Sequence, residues 1–163
     1  MRWARVVASV AASVVALTTF GASGAGGDVC WAYRPNEAEM ARKVNGVRAA
    51  RGLPRLQLDP NLSKLARRHT SYMARISSLF HTNDLGRKVT NWTSLGENIG
   101  YGSGVAQLHR LFMSSSSHRW HILNGSYRYL GVGTVSRGGF TWVTVIFEGR
   151  QNPGTILPMP SSC

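Results

Sequence analysis

The sequence lacks several features that would place it in a common class. It has no internal repeat, and after residue 20 it has no further long apolar run, so we expect a mature chain without a membrane span. Neither the G-x-S-x-G elbow of serine hydrolases nor the local H-E-x-x-H motif of zinc proteases is present. No nucleic-acid-binding motif surrounds its basic residues, which argues against a specific nucleic-acid partner.

Acidic residues are scarce in this chain. Seven Asp and Glu stand against nineteen Lys and Arg, which gives a formal net charge of +12. Without Arg2 and Arg5 the charge is +10, which favours anionic partners such as envelope polymers or lipids. Arginine outnumbers lysine sixteen to three, and a GC-rich genome produces that bias without selection for a partner. The charge alone therefore identifies no target.

The first 25 residues have the three regions of a secretory signal peptide. Arg2 and Arg5 form a positive region, an apolar run follows over 6–20, and small residues over 21–27 offer cleavage sites. The alternative is a retained membrane anchor, but this run is shorter than the roughly 20 residues that a spanning helix needs. We therefore predict a secreted protein with a signal peptide at 1–25 and a single domain at 26–163.

The two cysteines, Cys30 and Cys163, lie near the predicted mature N-terminus and at the last residue. In an oxidising compartment such thiols are expected to pair, and the termini of a domain often lie close together. A bridge would close a loop of about 133 residues and stabilise the fold by roughly 4–5 kcal/mol in the chain-entropy model. Free or intermolecular thiols are the alternative.

Hydrophobic periodicity predicts that helices come first and strands last. Apolar residues recur at helical spacing over 36–51, 60–76 and 105–113, with a further turn after the serine run. Two later strands, 129–135 and 140–147, flank a glycine turn and predict a hairpin whose second strand is buried on both faces. The predicted fold class is α/β, a three-layer α-β-α sandwich with a small, mainly antiparallel sheet.

The same patterns assign faces to single residues. The third predicted helix should turn Leu111 inward, and the second should turn Arg67 toward solvent. Gly131 and Gly133 alternate on one face of their strand, which predicts close packing against a helix or a site histidine. Residues 77–96 are expected to form a loop.

Five short motifs resemble, in order, those of bacterial SCP-like domains of the CAP superfamily (the cysteine-rich secretory, antigen 5 and pathogenesis-related 1 type). They are Asn45-x-x-Arg48 with Gly52-Leu53-Pro54, His81 after an aromatic residue, Gly96-Glu97-Asn98, Ser117-His118-Arg119 with Ile122-Leu123, and Leu130-Gly131-Val132-Gly133. The resemblance covers about 36–148, nearly the whole mature domain. It implies an α-β-α sandwich with a cleft lined by two histidines and two acidic residues.

By this resemblance the cleft residues are His81, Glu97 and His118. The second acidic residue has no counterpart, because residues 113–117 contain no carboxylate, and Ser115 is the closest match. This departure weakens any four-ligand metal site. Two imidazoles and one carboxylate can still hold Zn²⁺ or another divalent cation with open positions. The alternative is a hydrogen-bonded polar cluster in which Glu97 orients the two histidines.

The remaining histidines are given structural roles. His69 lies on the apolar face of the second predicted helix and is expected in the core. His109 and His121 are expected to be surface or packing residues. Ser114 precedes His118 closely, but without a nucleophile elbow the serine run does not indicate a Ser–His catalytic pair.

These observations predict an extracellular binding or interaction module that is not an established enzyme. The resemblance implies a cleft for a divalent cation or a lipid, and we expect a monomer whose partners are anionic envelope polymers or lipids. One alternative is a metal-assisted hydrolase of peptide or cell-wall substrates that uses His81, Glu97 and His118. A second alternative is a purely structural domain whose polar cluster only stabilises the fold.

Overall fold

A computed structural model describes residues 32–150. Five helices in this range span Pro35–Ala49 (α1), Pro60–Ile76 (α2), Leu85–Lys88 (α3), Val105–Ser114 (α4) and Ser116–Leu123 (α5). Four strands span Gln57–Leu58 (β1), Ser94–Gly102 (β2), Tyr129–Arg137 (β3) and Phe140–Gly149 (β4). None of these helices is both long enough and apolar enough to cross a membrane.

Three predicted features lie outside the described residues. They are the signal peptide at 1–25 and the two cysteines, Cys30 and Cys163. Export and the terminal disulfide bridge therefore stay predictions.

The four strands form one sheet in the order β1-β3-β4-β2. β3 and β4 are an antiparallel hairpin, β2 pairs antiparallel with β4, and the short β1 runs parallel to β3. The hairpin turns at Gly138 and Gly139, whose φ angles of 59° and 77° are those that a tight two-residue turn requires. The prediction of a small, mainly antiparallel sheet is confirmed.

Helices cover both faces of this sheet. On one face, α1, α4 and α5 enclose a core that includes Val132, Val145 and Phe147. On the other face, α2 packs against Ile146 and Trp142. Strand β4 is buried along nearly its whole length, as expected of a strand with helices on both sides. The predicted three-layer sandwich is confirmed.

Helix α2 lies close to β3 because two glycines face it. A Cβ atom on Gly131 would lie 2.3 Å from the Cβ of Leu62, and one on Gly133 would lie 2.2 Å from the backbone nitrogen of Arg67. Any side chain at these two positions would push the helix away from the sheet. The prediction that the alternating glycines permit close helix packing is confirmed.

A fully buried arginine, Arg48, joins α1 to the end of α5. Its Nε donates to the carbonyl of Pro54 at 2.9 Å, and its Nη1 donates to the carbonyls of Ile122 at 2.9 Å and Asn124 at 2.8 Å. These carbonyls lie in the turn after α1 and at the C-terminal end of α5. The arginine therefore helps to fix the helix that carries His118.

Three local assignments made from the sequence are wrong. Leu111 is 51% exposed, because the inward stripe of α4 consists of Val105, Leu108 and Phe112 and position 111 lies beyond its margin. The segment 77–96, expected to be a loop, contains α3 and the first residues of β2.

Arg67, the third of these assignments, does not simply face solvent. Its Nε donates to Oε1 of the fully buried Glu37 at 2.7 Å, and the two residues form an ion pair. Oε2 of Glu37 also accepts a hydrogen bond from the backbone nitrogen of Arg34 at 3.0 Å. The pattern missed this pair because a buried carboxylate on α1 draws the guanidinium inward along the flank of α2.

A second buried carboxylate, Glu148, lies near the end of β4 and is 1% exposed. Its nearest cation is Arg150, whose Nε lies 3.5 Å from Glu148 Oε1, and no described residue donates a hydrogen bond to either oxygen. Burial raises the pKa of Glu148 to about 7, against the opposing effect of Arg150 and with a smaller contribution from Asp59.

The Glu148-dependent part of the stability is expected to fall as pH rises. A carboxyl group with a raised pKa in the folded state holds its proton more tightly there than in the unfolded chain. Its contribution to stability is therefore complete below about pH 4.5 and is lost as the pH rises from there through about 7. The loss should be on the order of 3 kcal/mol. Urea denaturation of wild type and Glu148→Gln across this pH range measures it as the difference between the two proteins. A difference that does not change with pH would contradict the prediction.

Candidate functional site

His81 and Glu97 form a close pair at the free edge of β2. Nδ1 of His81 lies 2.8 Å from Oε2 of Glu97. The histidine side chain is 63% exposed, whereas that of Glu97 is only 4% exposed. Strand β2 is an edge strand, so the segment that follows α2 can bring His81 against it. A buried carboxylate thus holds an exposed imidazole in place.

Thr82 completes the hydrogen bonding of Glu97. Its backbone nitrogen donates to Oε2 at 2.8 Å, and its hydroxyl donates to Oε1. Both carboxylate oxygens are therefore engaged by two consecutive residues of the segment that carries His81. In the neutral imidazole, a carboxylate acceptor at Nδ1 selects the tautomer with its proton on that nitrogen, which leaves the lone pair of Nε2 available for a ligand.

His118 reaches the same edge of the sheet from α5. Its backbone carbonyl accepts a hydrogen bond from Nδ2 of Asn98 at 3.0 Å, and its ring centroid lies 5.1 Å from that of Phe112. Burial lowers the pKa of His118, and the nearby charge of His81 lowers it further. The neutral ring, which is the form that binds metal ions, is therefore favoured near pH 7.

The structure adds His121, which the sequence assigned to the surface or to packing. Burial lowers its pKa, His118 and His81 lower it further, and Glu97 acts in the opposite direction. His121 therefore senses the charges of all three predicted cleft residues. The signal in the sequence was its position three residues after His118 on one short helix, which places both on neighbouring parts of the same face.

Gly96 makes room for the ring of His121. A Cβ atom on Gly96 would lie 2.2 Å from Nδ1 of His121 and 2.4 Å from the hydroxyl of Tyr127. That nitrogen and hydroxyl lie 3.1 Å apart, within hydrogen-bonding distance. The glycine before Glu97 thus permits a histidine and a tyrosine to pack against the strand that carries the carboxylate.

Ser115, the closest match to a second acidic residue, lies in the turn between α4 and α5. Its hydroxyl is 3.2 Å from that of Ser117. Within residues 32–150 it makes no hydrogen bond with His81, Glu97 or His118. The structure therefore pairs His81 with Glu97, places His118 within electrostatic range of His81, and leaves Ser115 in the connecting turn.

The cluster contains one imidazole supported by a carboxylate, His81 with Glu97, and a second imidazole, His118, near it. Among the described residues no group of three or more His, Cys, Asp or Glu side chains is arranged to hold a metal ion. Glu97 already accepts hydrogen bonds at both oxygens, whereas Nε2 of His81 has no partner in the described part of the chain. A histidine that binds a metal commonly gives its other ring N–H to a carboxylate, as His81 does here. The paired His81 therefore has the hydrogen-bonding pattern of a metal-binding histidine.

Comparison with known proteins gives consistent similarities. A model of the cysteine-rich secretory protein (CAP) family matches residues 41–147. The uncharacterized protein YkwD of Bacillus subtilis is 30% identical over 111 residues, which are 63% of this chain and 43% of that protein. The chain thus spans less than half the length of this relative.

Solved structures share the fold. A cysteine-rich secretory protein from Staphylococcus aureus superposes with a TM-score of 0.60 at 26% identity, over 71% of this chain and 39% of that one. An extracellular protein with an SCP domain from Bacillus anthracis gives a TM-score of 0.62 at 24% identity, over 74% and 45%. An outer surface protein of Borrelia burgdorferi gives 0.65 at 16% identity, over 73% and 97%.

Proposed function

Because the chain belongs to the cysteine-rich secretory protein (CAP) family, we propose that it is an extracellular binding module whose cleft at the edge of β2 holds a divalent cation. The signal peptide predicted at 1–25 supports the extracellular location. So do the two bacterial relatives described as a secretory protein and as an extracellular protein. His81 and His118 would hold the cation, and its remaining positions would be open to water or to a ligand group.

The observation that carries this proposal is the hydrogen bond between His81 Nδ1 and the buried carboxylate of Glu97. It fixes the ring and directs the lone pair to Nε2, while Thr82 fixes the carboxylate. Imidazole nitrogens suit Zn²⁺ among the common divalent cations, and the neutral state of His118 suits the same role. A bound Zn²⁺ would supply a Lewis-acidic centre to which an anionic or carbonyl-bearing ligand can attach.

A metal-assisted hydrolase that uses the same residues is the alternative. Such an enzyme needs a carboxylate or imidazole free to move a proton beside the substrate. Glu97 has both oxygens in hydrogen bonds to His81 and Thr82, and position 115 holds a serine whose hydroxyl contacts another serine. The arrangement therefore favours binding over hydrolysis.

Calorimetric titration of the mature protein with Zn²⁺ tests the proposal. We expect one bound ion per domain, at least tenfold weaker binding in His81→Ala and His118→Ala, and a roughly tenfold loss in Glu97→Gln, because removing a carboxylate that supports a ligating histidine commonly reduces affinity by about 10–100-fold.

The matched control is His109→Ala. This histidine is also half-buried with a pKa lowered by burial, but its neighbouring charge is Lys43 on α1, away from the cleft. Its loss should change the zinc affinity less than twofold. Undiminished zinc binding in His81→Ala would overturn the proposed site, and cleavage of a peptide or cell-wall substrate by the zinc-loaded protein would favour the hydrolase.

A further inference from the structure

A groove of about 570 Å³ runs between α2 and the segment that contains α3. Lys64, Arg68 and Tyr72 line it from α2, and Thr82 and Lys88 line it from the opposite side. Since Thr82 also bonds to Glu97, the groove begins directly beside the proposed cation site. We call these five residues and the space between them the α2 groove.

The α2 groove is cationic and contains no carboxylate. Lys64, Arg68 and Lys88 are exposed, and none of them forms an ion pair within residues 32–150. In contrast, Arg67 is paired with Glu37, and Arg150 with Asp59. An arginine-rich composition explains how many basic residues there are, but it does not explain why three unpaired ones converge on one concavity.

The positive charges continue along α2 beyond the groove. Arg68, Tyr72 and Arg75 line an adjoining depression of about 400 Å³. The guanidinium carbon of Arg75 lies 5.1 Å from the ring centroid of Tyr72, which holds the cation over the tyrosine. At a rise of 1.5 Å per residue, Lys64, Arg68 and Arg75 are spaced roughly 6 and 10 Å apart along the helix. A ligand with repeated negative charges can contact this row at several points at once, which multiplies its affinity.

We propose that the α2 groove binds a chain of phosphodiester-linked glycerol units. Arginine and lysine are the residues that recognise phosphate oxygens. Asn61, an exposed residue that also lines this space, can hydrogen-bond to polyol hydroxyls. This inference rests on the proposed extracellular binding role but not on the cation site.

Two other polyanions fit the groove less well. Single-stranded nucleic acid is held by several aromatic side chains on which successive bases stack, whereas Tyr72 is the single Phe, Trp or Tyr among the groove residues that the structure describes. An anionic lipid bilayer also attracts exposed basic side chains, but its surface is flat on this scale and contacts the rim of a groove rather than its floor.

Binding of soluble poly(glycerol phosphate), measured by calorimetry at several salt concentrations, tests the inference. The triple variant Lys64→Ala/Arg68→Ala/Lys88→Ala should bind at least tenfold more weakly than wild type and with a shallower salt dependence, because fewer counterions are released. The matched control Arg42→Ala/Arg51→Ala/Arg110→Ala removes the same charge from exposed positions on or next to α1 and α4. It should stay within about threefold of wild type. Thermal melts of both triple variants show whether each still folds. The single variant Lys88→Ala tests the loss of one groove contact with less risk to the fold.

Each contrary outcome is distinct. Equal weakening in both triple variants would show that net charge alone binds the polymer, and it would overturn the site. Binding to phosphatidylglycerol vesicles without binding to the polymer would overturn it in favour of a membrane surface. Equally tight binding of single-stranded DNA with the same number of phosphates would overturn the proposed ligand class.

The two proposals fail separately in these experiments. His81→Ala leaves the cationic side chains of the α2 groove in place, so it should retain the affinity for poly(glycerol phosphate). The groove triple variant leaves His81 and His118 in place, so it should retain the affinity for Zn²⁺. Loss of both affinities in the groove variant would refute the separate groove site.

Discussion

Gly133→Ala is expected to destabilise the domain by more than about 3 kcal/mol, because α2 leaves no room for the added methyl group. That methyl carbon would lie 2.2 Å from the backbone nitrogen of Arg67 and 2.3 Å from the carbonyl carbon of Ala66. Both atoms belong to the backbone of the helix, so no side-chain rotation can relieve the clash. The helix would have to move off the sheet, and Thr70 would lose its hydrogen bond to the Gly133 carbonyl at 3.1 Å.

Urea denaturation measures this loss, and Gly46→Ala is its matched control. Gly46 lies on the exposed side of α1, where a Cβ atom would meet nothing within 4 Å. Replacing a helical glycine by alanine at such a position should stabilise the fold by about 0.5–1 kcal/mol. The same substitution is thus expected to act in opposite directions at the two positions. Wild-type stability of Gly133→Ala would contradict the prediction.

Arg48→Met is expected to reduce the free energy of unfolding by about 3–5 kcal/mol. Methionine preserves much of the apolar length of the side chain but leaves the carbonyls of Pro54, Ile122 and Asn124 without their donors. Hydrogen bonds to charged groups contribute about 1.5–3 kcal/mol each, and buried acceptors left without a donor add a penalty. Because two of these carbonyls lie at the end of α5, zinc affinity should fall as well.

Arg51→Met controls for the loss of one arginine from the same region. Arg51 is exposed, and its only side-chain hydrogen bond in the described structure is a long one of 3.4 Å to the carbonyl of Val47. Its replacement should change the stability by less than about 0.5 kcal/mol. Urea denaturation measures the free energy of unfolding of both variants. Equal losses in the two would show that the buried hydrogen bonds of Arg48 contribute little.

Helices can be predicted from the sequence where local signals mark their ends. The side chain of Asp59 accepts hydrogen bonds from the backbone nitrogens of Asn61 at 2.7 Å and Leu62 at 3.1 Å, and Pro60 begins α2. An aspartate followed by a proline is a typical start of a helix. α3 has four residues, which is about one turn and too short to show a hydrophobic period. It therefore went unrecognised.

Long-range contacts decide what the sequence could not reveal. Glu37 is buried because it pairs with Arg67, thirty residues later, and no local pattern connects the two. Glu148 likewise lies beside Arg150 and residues of α2 at the end of the sheet. Its own strand is mostly apolar, so the strand pattern alone does not predict a buried carboxylate there. Charged residues of this kind interrupt a hydrophobic pattern without identifying their partners.

The candidate site was recognised by family resemblance and not by spacing. His81 and Glu97 are sixteen residues apart, and only the return of the chain along β2 brings them together. The match of residues 41–147 to the family model confirms that resemblance. His121 was not recognised as part of the cluster because its place depends on the absence of a side chain at Gly96, on a different element.

The order of the elements along the chain has a consequence for when the protein can fold. α1 and α2 are synthesised first, yet the strands on which they pack, β3 and β4, occupy 129–149 and are made last among the described elements. Isolated helices of 15 and 17 residues are marginal in water. We therefore expect the growing chain to stay unfolded until the hairpin emerges. The hairpin has local contacts and can then form, and the helices made earlier can pack against it. This order of folding would suit the export that the sequence predicts, because a translocation pore threads an extended chain.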